Sequence, residues 1–137
     1  MTTPNFDTLT LGDEIPSLTL PPLTRHTLAV YCGASGDHNP LHVDFDFARA
    51  AGLDDVIAHG MLIMGYMGRT VTDWAPQTAL RSFNTRFMAM TKIGNQITCT
   101  AKITKKAQVA MARRVRRAIT ARNQPREVKA QGGAVVA

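Results

Sequence analysis

The sequence predicts an α+β domain in which one long buried helix packs on an antiparallel sheet of about five strands. The segment His59–Thr72 is apolar on nearly all sides, which is typical of a helix with no face in water. After Trp74 the pattern changes, because apolar and polar residues alternate at positions 82–89 and 97–104. Such alternation is typical of strands with one face in the core, and 137 residues suit a single domain over residues 1–137.

The first third of the chain predicts a loose terminus, a strand and two helices. Residues 1–8 are read as the terminus, and a first strand is expected at about Ile15–Leu20. Thr24 is a favourable N-cap for a helix over Arg25–Ser35, and Asp44 is a favourable N-cap for a second, shorter helix. These elements lead the chain into the loops that precede the long helix.

Residues 105–122 carry conflicting signals. The sheet needs a hairpin turn and another strand here, but this stretch holds no Gly, Pro, Asn or Asp to make the turn. Local propensity over its first half is helical, whereas alternation in its second half favours a strand. We therefore expect strand structure from about Arg114, and a last strand over Val128–Val136.

The chain has a formal net charge of +6, and much of the excess lies in the run Arg113–Arg117. A basic protein can favour nucleic acid, membrane surfaces, coenzyme A or acidic carrier proteins. The run contains no interleaved aromatic residues, which gives little support for nucleic-acid recognition. We expect no nucleic-acid partner, and we interpret the charge mainly as an aid to solubility.

The expected compartment is the cytoplasm. Met1–Thr10 is polar and lacks the cationic-then-apolar pattern of a secretory signal. The apolar helix is interrupted by Arg69 and is too short to cross a bilayer, so no membrane partner is expected. Cys32 and Cys99 are too few for a disulfide framework and lack metal-site spacing, so we expect reduced thiols. A disulfide between them is the less favoured alternative.

The strongest chemical signal is the run Ser35-Gly36-Asp37-His38-Asn39-Pro40-Leu41-His42. Pro40 breaks any helix between Asp37 and His42, so both side chains must project from a loop. A loop can aim a carboxylate and an imidazole at one water, which is a common acid–base arrangement. Taken singly, Asp37 is better explained as a turn residue and His42 as a partly buried structural histidine.

A second unusual run, Ala58-His59-Gly60-Met61, opens the long helix. A helix N-terminus offers free backbone N–H groups to a negative oxygen. A loop acid, a loop base and an anion-binding helix start are the three parts needed to add water to an activated carbonyl compound, or to remove it.

The two runs, residues 33–42 and 58–61, together resemble the signature of the MaoC-like (R)-specific enoyl-thioester hydratases and dehydratases. The resemblance covers roughly residues 9–104, and the order and spacing of the two runs make it specific. It implies a single hotdog domain, in which a curved antiparallel sheet wraps a long central helix. It also implies (R)-specific hydration of 2-enoyl thioesters, or dehydration of 3-hydroxyacyl thioesters, in fatty-acid or related acyl metabolism.

The resemblance also implies roles for individual residues. Asp37 and His42 become the catalytic pair that holds one water, and Gly60 becomes the residue whose N–H binds the thioester oxyanion. Asn39 is a supporting residue that fixes the loop or one member of the pair, although a purely structural turn role is about equally favoured. His59 is a supporting residue, either as a helix cap or as a neighbour of the catalytic pair.

Four methionines, Met61, Met64, Met67 and Met88, are candidates for an acyl pocket, because thioethers adapt to flexible chains, and Met61 and Met64 are the favoured pair. Methionine at helical spacing is more often plain core, so that alternative stays open.

No metal or other cofactor is implied by the resemblance, since coenzyme A or carrier-protein pantetheine would be part of the substrate. It implies a homodimer, or a heterodimer with a similar subunit. Two other functions stay open, a hotdog acyl-CoA thioesterase and a non-catalytic partner subunit of a heterodimeric dehydratase. Such thioesterases place an acid on or near the central helix, where His59–Thr72 has none. The presence of Asp37 and His42 favours a catalytic subunit over a non-catalytic one.

Overall fold

The structure is a computed structural model that describes residues 4–109 and 111–137. In these ranges the elements are β1 (Glu14–Thr19), α1 (Arg25–Ser35), α2 (Phe45–Ala50), α3 (Gly60–Thr72), β2 (Leu80–Phe87), β3 (Thr98–Val109), β4 (Ala112–Arg122) and β5 (Val128–Val136). The strands form one antiparallel sheet in the order β1-β3-β4-β5-β2, so that β1 and β2 are its edges. The helix α3 lies across the sheet and contacts all five strands. This arrangement confirms the predicted α+β fold, with a long helix against an antiparallel sheet.

Capping residues set the limits of the first helices. The Thr24 side chain accepts a hydrogen bond from a first-turn N–H, and α1 spans the predicted residues Arg25–Ser35. Gly36 ends it in the left-handed conformation (φ 77°), which glycine adopts without steric cost, and donates its N–H to the Cys32 carbonyl. The Asp44 side chain caps α2 in the same way as Thr24 caps α1. Both predicted caps are therefore confirmed, and Gly36 turns the chain towards the candidate site.

The long helix α3 is buried on one side only. Its buried residues are Leu62, Ile63, Met67, Thr70 and Val71. Met61, Gly65 and Arg69 follow one another at four-residue spacing and are exposed, with Met61 57% exposed. The prediction of burial on all sides is therefore wrong for this face. A single sheet can cover only one side of a helix, and an apolar sequence does not tell a core face from a face that a partner covers.

The hairpin between β3 and β4 corrects the prediction for residues 105–113. Strand β3 continues to Val109 and β4 begins at Ala112, so the helical expectation is wrong and strand structure starts before Arg114. Lys105 pairs with Arg116, and the ladder runs on to the end of the hairpin. Hydrogen bonding to the neighbouring strand outweighs the weak helical propensity of this segment.

Part of the predicted loose terminus is described in the structure. Residues 1–3 of it lie outside the described residues. Residues 4–8 include a 3₁₀ turn and contact the β3–β4 hairpin. The Phe6 ring lies 4.4 Å from Lys106 Nζ and 5.5 Å from the Arg113 guanidinium, within cation–π range.

Both cysteines are free and buried, which confirms the expectation of reduced thiols. Burial raises the pKa of the Cys99 thiol to about 11, so it stays protonated and unreactive at neutral pH. Among the helices within the described ranges, none is long and apolar enough to cross a membrane.

Candidate active site

The loop after α1 holds Asp37 in a tight hydrogen-bonded turn. The Asp37 N–H donates to Ser35 Oγ (3.1 Å), and the Asp37 Oδ1 accepts from the Asn39 N–H (3.2 Å). Asn39 caps the one-turn 3₁₀ helix that ends at His42, with its Oδ1 accepting from the Leu41 N–H (3.0 Å). The Asn39 side chain therefore shapes the turn, as in the structural interpretation, while its backbone N–H holds the Asp37 carboxylate.

A backbone carbonyl fixes the tautomer of His42. Its Nδ1 lies 2.7 Å from the Ile57 carbonyl oxygen, which can only accept, so Nδ1 carries the proton. In the neutral ring Nε2 then has a free lone pair and can act as a base. The Ile57 N–H donates in turn to the Leu41 carbonyl (3.1 Å), which ties the segment before α3 to the loop.

His59 lies against Asp37 and His42, the candidate catalytic pair, and is almost fully buried. Its ring stacks on that of His42, with centroids 3.8 Å apart, and meets the edge of Tyr31 at 4.7 Å. Its Nε2 donates to the Asp37 carbonyl (3.2 Å) and lies 3.4 Å from Cys32 Sγ. Although it occupies the N-cap position of α3, its side chain makes no capping bond to the described residues. The structure thus places His59 as a packing support for both members of the pair.

The candidate site contains three potential metal ligands. Donor atoms of Asp37, His42 and His59 lie within 4.8 Å of one another. A zinc ligand directs its lone pair, in the plane of the ring, at an ion about 2.0–2.1 Å away. The two imidazoles are stacked with only 23° between their planes, so their lone pairs cannot converge on one ion. The arrangement therefore suits proton transfer rather than metal binding.

The start of α3 borders the same space. Gly60 is the first residue of α3, and its N–H has no acceptor within the helix. A Cβ at Gly60 would lie 3.2 Å from the Phe87 ring, so glycine is also needed for close packing here. A cavity of about 370 Å³ opens beside it, with His42, Ile63 and Met88 among its lining residues. The cavity therefore extends from His42 to the N-terminal end of α3.

One of the methionines that the sequence offers for an acyl pocket lines this cavity. Met88, which follows β2, is among its lining residues, together with Met90. The favoured candidates Met61 and Met64 are not, because they sit towards the exposed side of α3. An acyl group in this cavity would therefore meet the methionines of the segment after β2.

Lys129 is a site residue that sequence reasoning missed. Its side chain is almost fully buried and lines the cavity, where Nζ donates to the Met90 carbonyl (2.8 Å) and pairs with Glu127. Strict alternation along β5, with Val128 and Ala130 on the inner face, would place Lys129 on the opposite face. An irregularity in the pairing of β4 with β5 lies beside it and accounts for the difference.

A pH dependence of stability should follow from His59. Burial lowers the pKa of His59 and the neighbouring His42 also lowers it, while the hydrogen bond to the Asp37 carbonyl opposes them, so the folded protein binds a proton on this ring less readily than the unfolded chain does. The unfolded chain binds a proton there near pH 6.5, so protons favour unfolding once the pH drops below about that value. We expect the free energy of unfolding to fall between about pH 6.5 and 5.5, by no more than about 1.4 kcal/mol per pH unit from this group.

Urea unfolding of the wild type and of His59→Gln measures this effect, because glutamine keeps a donor for the Asp37 carbonyl but does not titrate. The pH slope should be shallower in His59→Gln, while His26→Gln, at an exposed histidine, should keep the wild-type slope. Equal slopes in all three proteins would rule out His59 as the source.

Comparison with known proteins agrees with this geometry. The family model described as a MaoC like domain matches residues 11–124. The (R)-specific enoyl-CoA hydratase of Rhodospirillum rubrum is 30% identical over 84 residues, which are 60% of this chain and 58% of that protein. The fatty acid synthase subunit beta of Aspergillus oryzae is 38% identical over 74 residues, 51% of this chain but 4% of that protein. The chain thus matches less than two thirds of the length of either relative.

Solved structures share the fold along nearly the whole chain. The R-hydratase PhaJ1 of Pseudomonas aeruginosa superimposes with a TM-score of 0.84 at 24% identity, over 96% of this chain and 83% of that one. A chain of the ChsH1-ChsH2 complex of Mycobacterium tuberculosis gives a TM-score of 0.80 at 20% identity, over 93% and 97%. Since the family model covers most of the sequence and the fold agrees, this chain belongs to the MaoC-like domain family.

Proposed function

We propose that this chain catalyses the reversible hydration of 2-enoyl thioesters to (R)-3-hydroxyacyl thioesters. One observation carries the proposal: Asp37 and His42 converge to within 4.8 Å, and His42 borders the cavity at the N-terminus of α3. The (R) configuration is taken from the relatives with hydratase names, of which the Rhodospirillum rubrum enzyme is one.

In the proposed hydration, a water held between Asp37 and His42 attacks C3 of the enoyl group. A proton passes from the water to the pair as the C3–O bond forms, and electron density moves to the thioester oxygen. The Gly60 N–H and the positive end of α3 stabilise this enolate-like oxygen. The pair then delivers a proton to C2, so that the product has gained H and OH, and dehydration is the reverse. Asp37 and His42 act on the same water as one unit in this scheme.

The proposed reaction adds water and oxidises nothing, so it needs no redox cofactor. Coenzyme A or the pantetheine of a carrier protein enters as part of the substrate. Either carrier is anionic, and the net charge of +6 would favour its approach.

An absorbance assay at the enoyl-thioester band tests the function. A panel of 2-enoyl-CoAs of increasing length should lose this band on addition of the protein, and chiral analysis should show the (R)-3-hydroxyacyl product. Release of free thiol without hydration would instead identify a thioesterase. The structure argues against that outcome, because α3 has no acidic residue and Asp73, just past its end, pairs with Arg69 on the surface (3.5 Å).

We further propose that the chain works as a dimer joined along β2, either with itself or with a similar subunit. The other edge strand, β1, contains Pro16 and an irregular register, which protect it from pairing. Around the end of β2 lie four large apolar side chains that are about half exposed, namely Met61, Phe87, Met88 and Met90. A partner on this face would cover the strand edge and the apolar patch together, and would enclose the cavity. The ChsH1-ChsH2 structural neighbour is itself a complex.

A charge placed on this patch should dissociate the dimer. Met61→Lys puts an ammonium on the exposed face of α3, outside the cavity, whereas Met111→Lys makes the same change at a hairpin tip that is 96% exposed. Sedimentation at micromolar concentration should show a dimer for the wild type and Met111→Lys, and mainly monomer for Met61→Lys. A wild type that is monomeric and fully active would contradict the proposal.

A further inference from the structure

A buried arginine sits in β4. Arg117 is 0% exposed and is the largest of the fully buried side chains. The basic run alternates between the two faces of β4. Arg117 lies on the buried face with Val115 and Ile119. Arg114 and Arg116 lie on the exposed face. Within residues 4–109 and 111–137, none of the three guanidinium nitrogens has a hydrogen-bond partner. Buried charges are normally paired, so this side chain calls for an explanation.

The protein compensates the charge of Arg117 only in part. The guanidinium carbon lies 3.9 Å from the centroid of the Trp74 ring, a close cation–π contact. Trp74 follows the C-terminal end of α3, where helix carbonyls concentrate negative charge. Burial still lowers the pKa of Arg117 to about 10, because the charged form loses its hydration. The guanidinium N–H donors are unused by the described residues around them.

A cavity of about 300 Å³ adjoins Arg117, at the small end of the range for ligand pockets. Its walls are largely apolar, and they include Phe6, Leu9, Trp74 and Pro76. It lies past the C-terminal end of α3, whereas the candidate active site lies at the N-terminal end. Thirteen residues of helix separate the two by about 20 Å. This is therefore a second cavity, separate from the proposed reaction centre.

The charge balance indicates which ligand fits. Arg113 also borders the cavity, but it is already paired with Asp7 (3.3 Å), so among the described side chains that line the cavity Arg117 carries the positive charge that has no ion-pair partner. A monoanion neutralises it, whereas a dianion such as phosphate would leave an excess negative charge among apolar walls. The planar fork of a guanidinium matches the two oxygens of a carboxylate.

We propose that this cavity binds a small monocarboxylate with a compact apolar body, its carboxylate on Arg117 and its body against Trp74 and Phe6. Because the guanidinium is covered in the structure, the Pro4–Leu9 segment that forms one wall opens to admit the ligand. This proposal does not depend on the proposed hydratase reaction, so each of the two can be tested without the other.

Trp74 is the only tryptophan of the chain and reports directly on this site. The full chain is titrated with sodium cyclohexanecarboxylate while tryptophan fluorescence is recorded. Parallel titrations use neutral cyclohexanecarboxamide and inorganic phosphate. We expect a saturable change with the carboxylate, and binding at least about tenfold weaker for the amide and for phosphate. Equal binding of the amide would overturn the role of Arg117, and tighter binding of phosphate would overturn the choice of a monocarboxylate.

Two variants that each remove one positive charge provide the matched comparison. Arg117→Met should abolish the fluorescence response, and Arg116→Met, on the exposed face of the same strand, should keep it. The carboxylate should also raise the thermal midpoint of the wild type and of Arg116→Met, but not of Arg117→Met. Methionine replaces an unpaired buried charge, so Arg117→Met should be at least as stable as the free wild type. A response that survives in Arg117→Met would refute the site, and the wild-type titrations decide the matter even if that variant does not fold.

Discussion

Asp37→Asn and His42→Ala should each lower the turnover of an enoyl-thioester substrate by at least about 100-fold, the usual scale for an acid–base group. Asparagine keeps the shape of Asp37 and can still accept from the Asn39 N–H, so the turn survives while the charge is lost. Alanine removes the imidazole whose Nε2 would take the proton from water. Steady-state turnover with circular dichroism as a check on folding measures both effects.

A neighbouring histidine supplies the control. His38 is exposed in the same loop, so His38→Ala should keep near-normal turnover. The double variant of Asp37 and His42 should be little worse than the worse single variant, because the two residues serve one water. Near-normal turnover in either folded single variant would end the proposed mechanism. Strictly additive losses would show that the two residues act in separate steps.

The largest effect on stability is expected at Gly132, in the middle of β5. A Cβ there would lie 1.9 Å from the Asn84 carbonyl oxygen and 2.9 Å from the Thr85 Cα, both in the backbone of β2. Backbone atoms in a paired strand cannot move aside as a side chain can, so Gly132→Ala must push β2 away from β5. We expect a loss of more than about 3 kcal/mol in the free energy of unfolding, beyond ordinary overpacking. Urea unfolding, or loss of soluble protein, measures it.

Gly33→Ala is the matched control for Gly132→Ala. Gly33 lies inside α1, and a Cβ there would meet nothing within 4 Å, so alanine should be neutral or stabilising by up to about 1 kcal/mol. Wild-type stability in Gly132→Ala would mean that β2 and β5 are not packed as the structure shows.

The parts of the fold that the sequence predicts well are those with local signals. The Thr24 cap marks the start of α1 at Arg25, because a capping side chain acts within the first turn of the helix. The strand end at Val109 could not be predicted, since it depends on pairing with β4 and not on local propensity. The exposed face of α3 was missed for another reason, because its composition is that of a core.

The features of the candidate site also differ in how well the sequence predicts them. Asp37, His42 and Gly60 could be selected from sequence, because their motifs place them and a resemblance supplies their roles. The Ile57 carbonyl that fixes the tautomer of His42 could not, since a backbone acceptor leaves no trace in the residue type. The burial of Arg117 could have been suspected from the alternation of β4, but a run of arginines is usually read as a solvated surface.

The strand order also bears on the sequence of events in folding. The meander β3-β4-β5 pairs neighbours in the chain, whereas β1 joins the sheet by pairing with β3, across most of the sequence. Closing so long a loop costs more entropy than forming a hairpin, so we expect the meander to form first and the outer strands to dock afterwards. Asp37, His42 and Gly60, which act on the substrate in the proposed reaction, all lie between β1 and β2, in the portion that docks late. Substitutions in that portion should therefore alter the rate of unfolding far more than the rate of folding. The residues between β1 and β2 can thus change without slowing the formation of the meander.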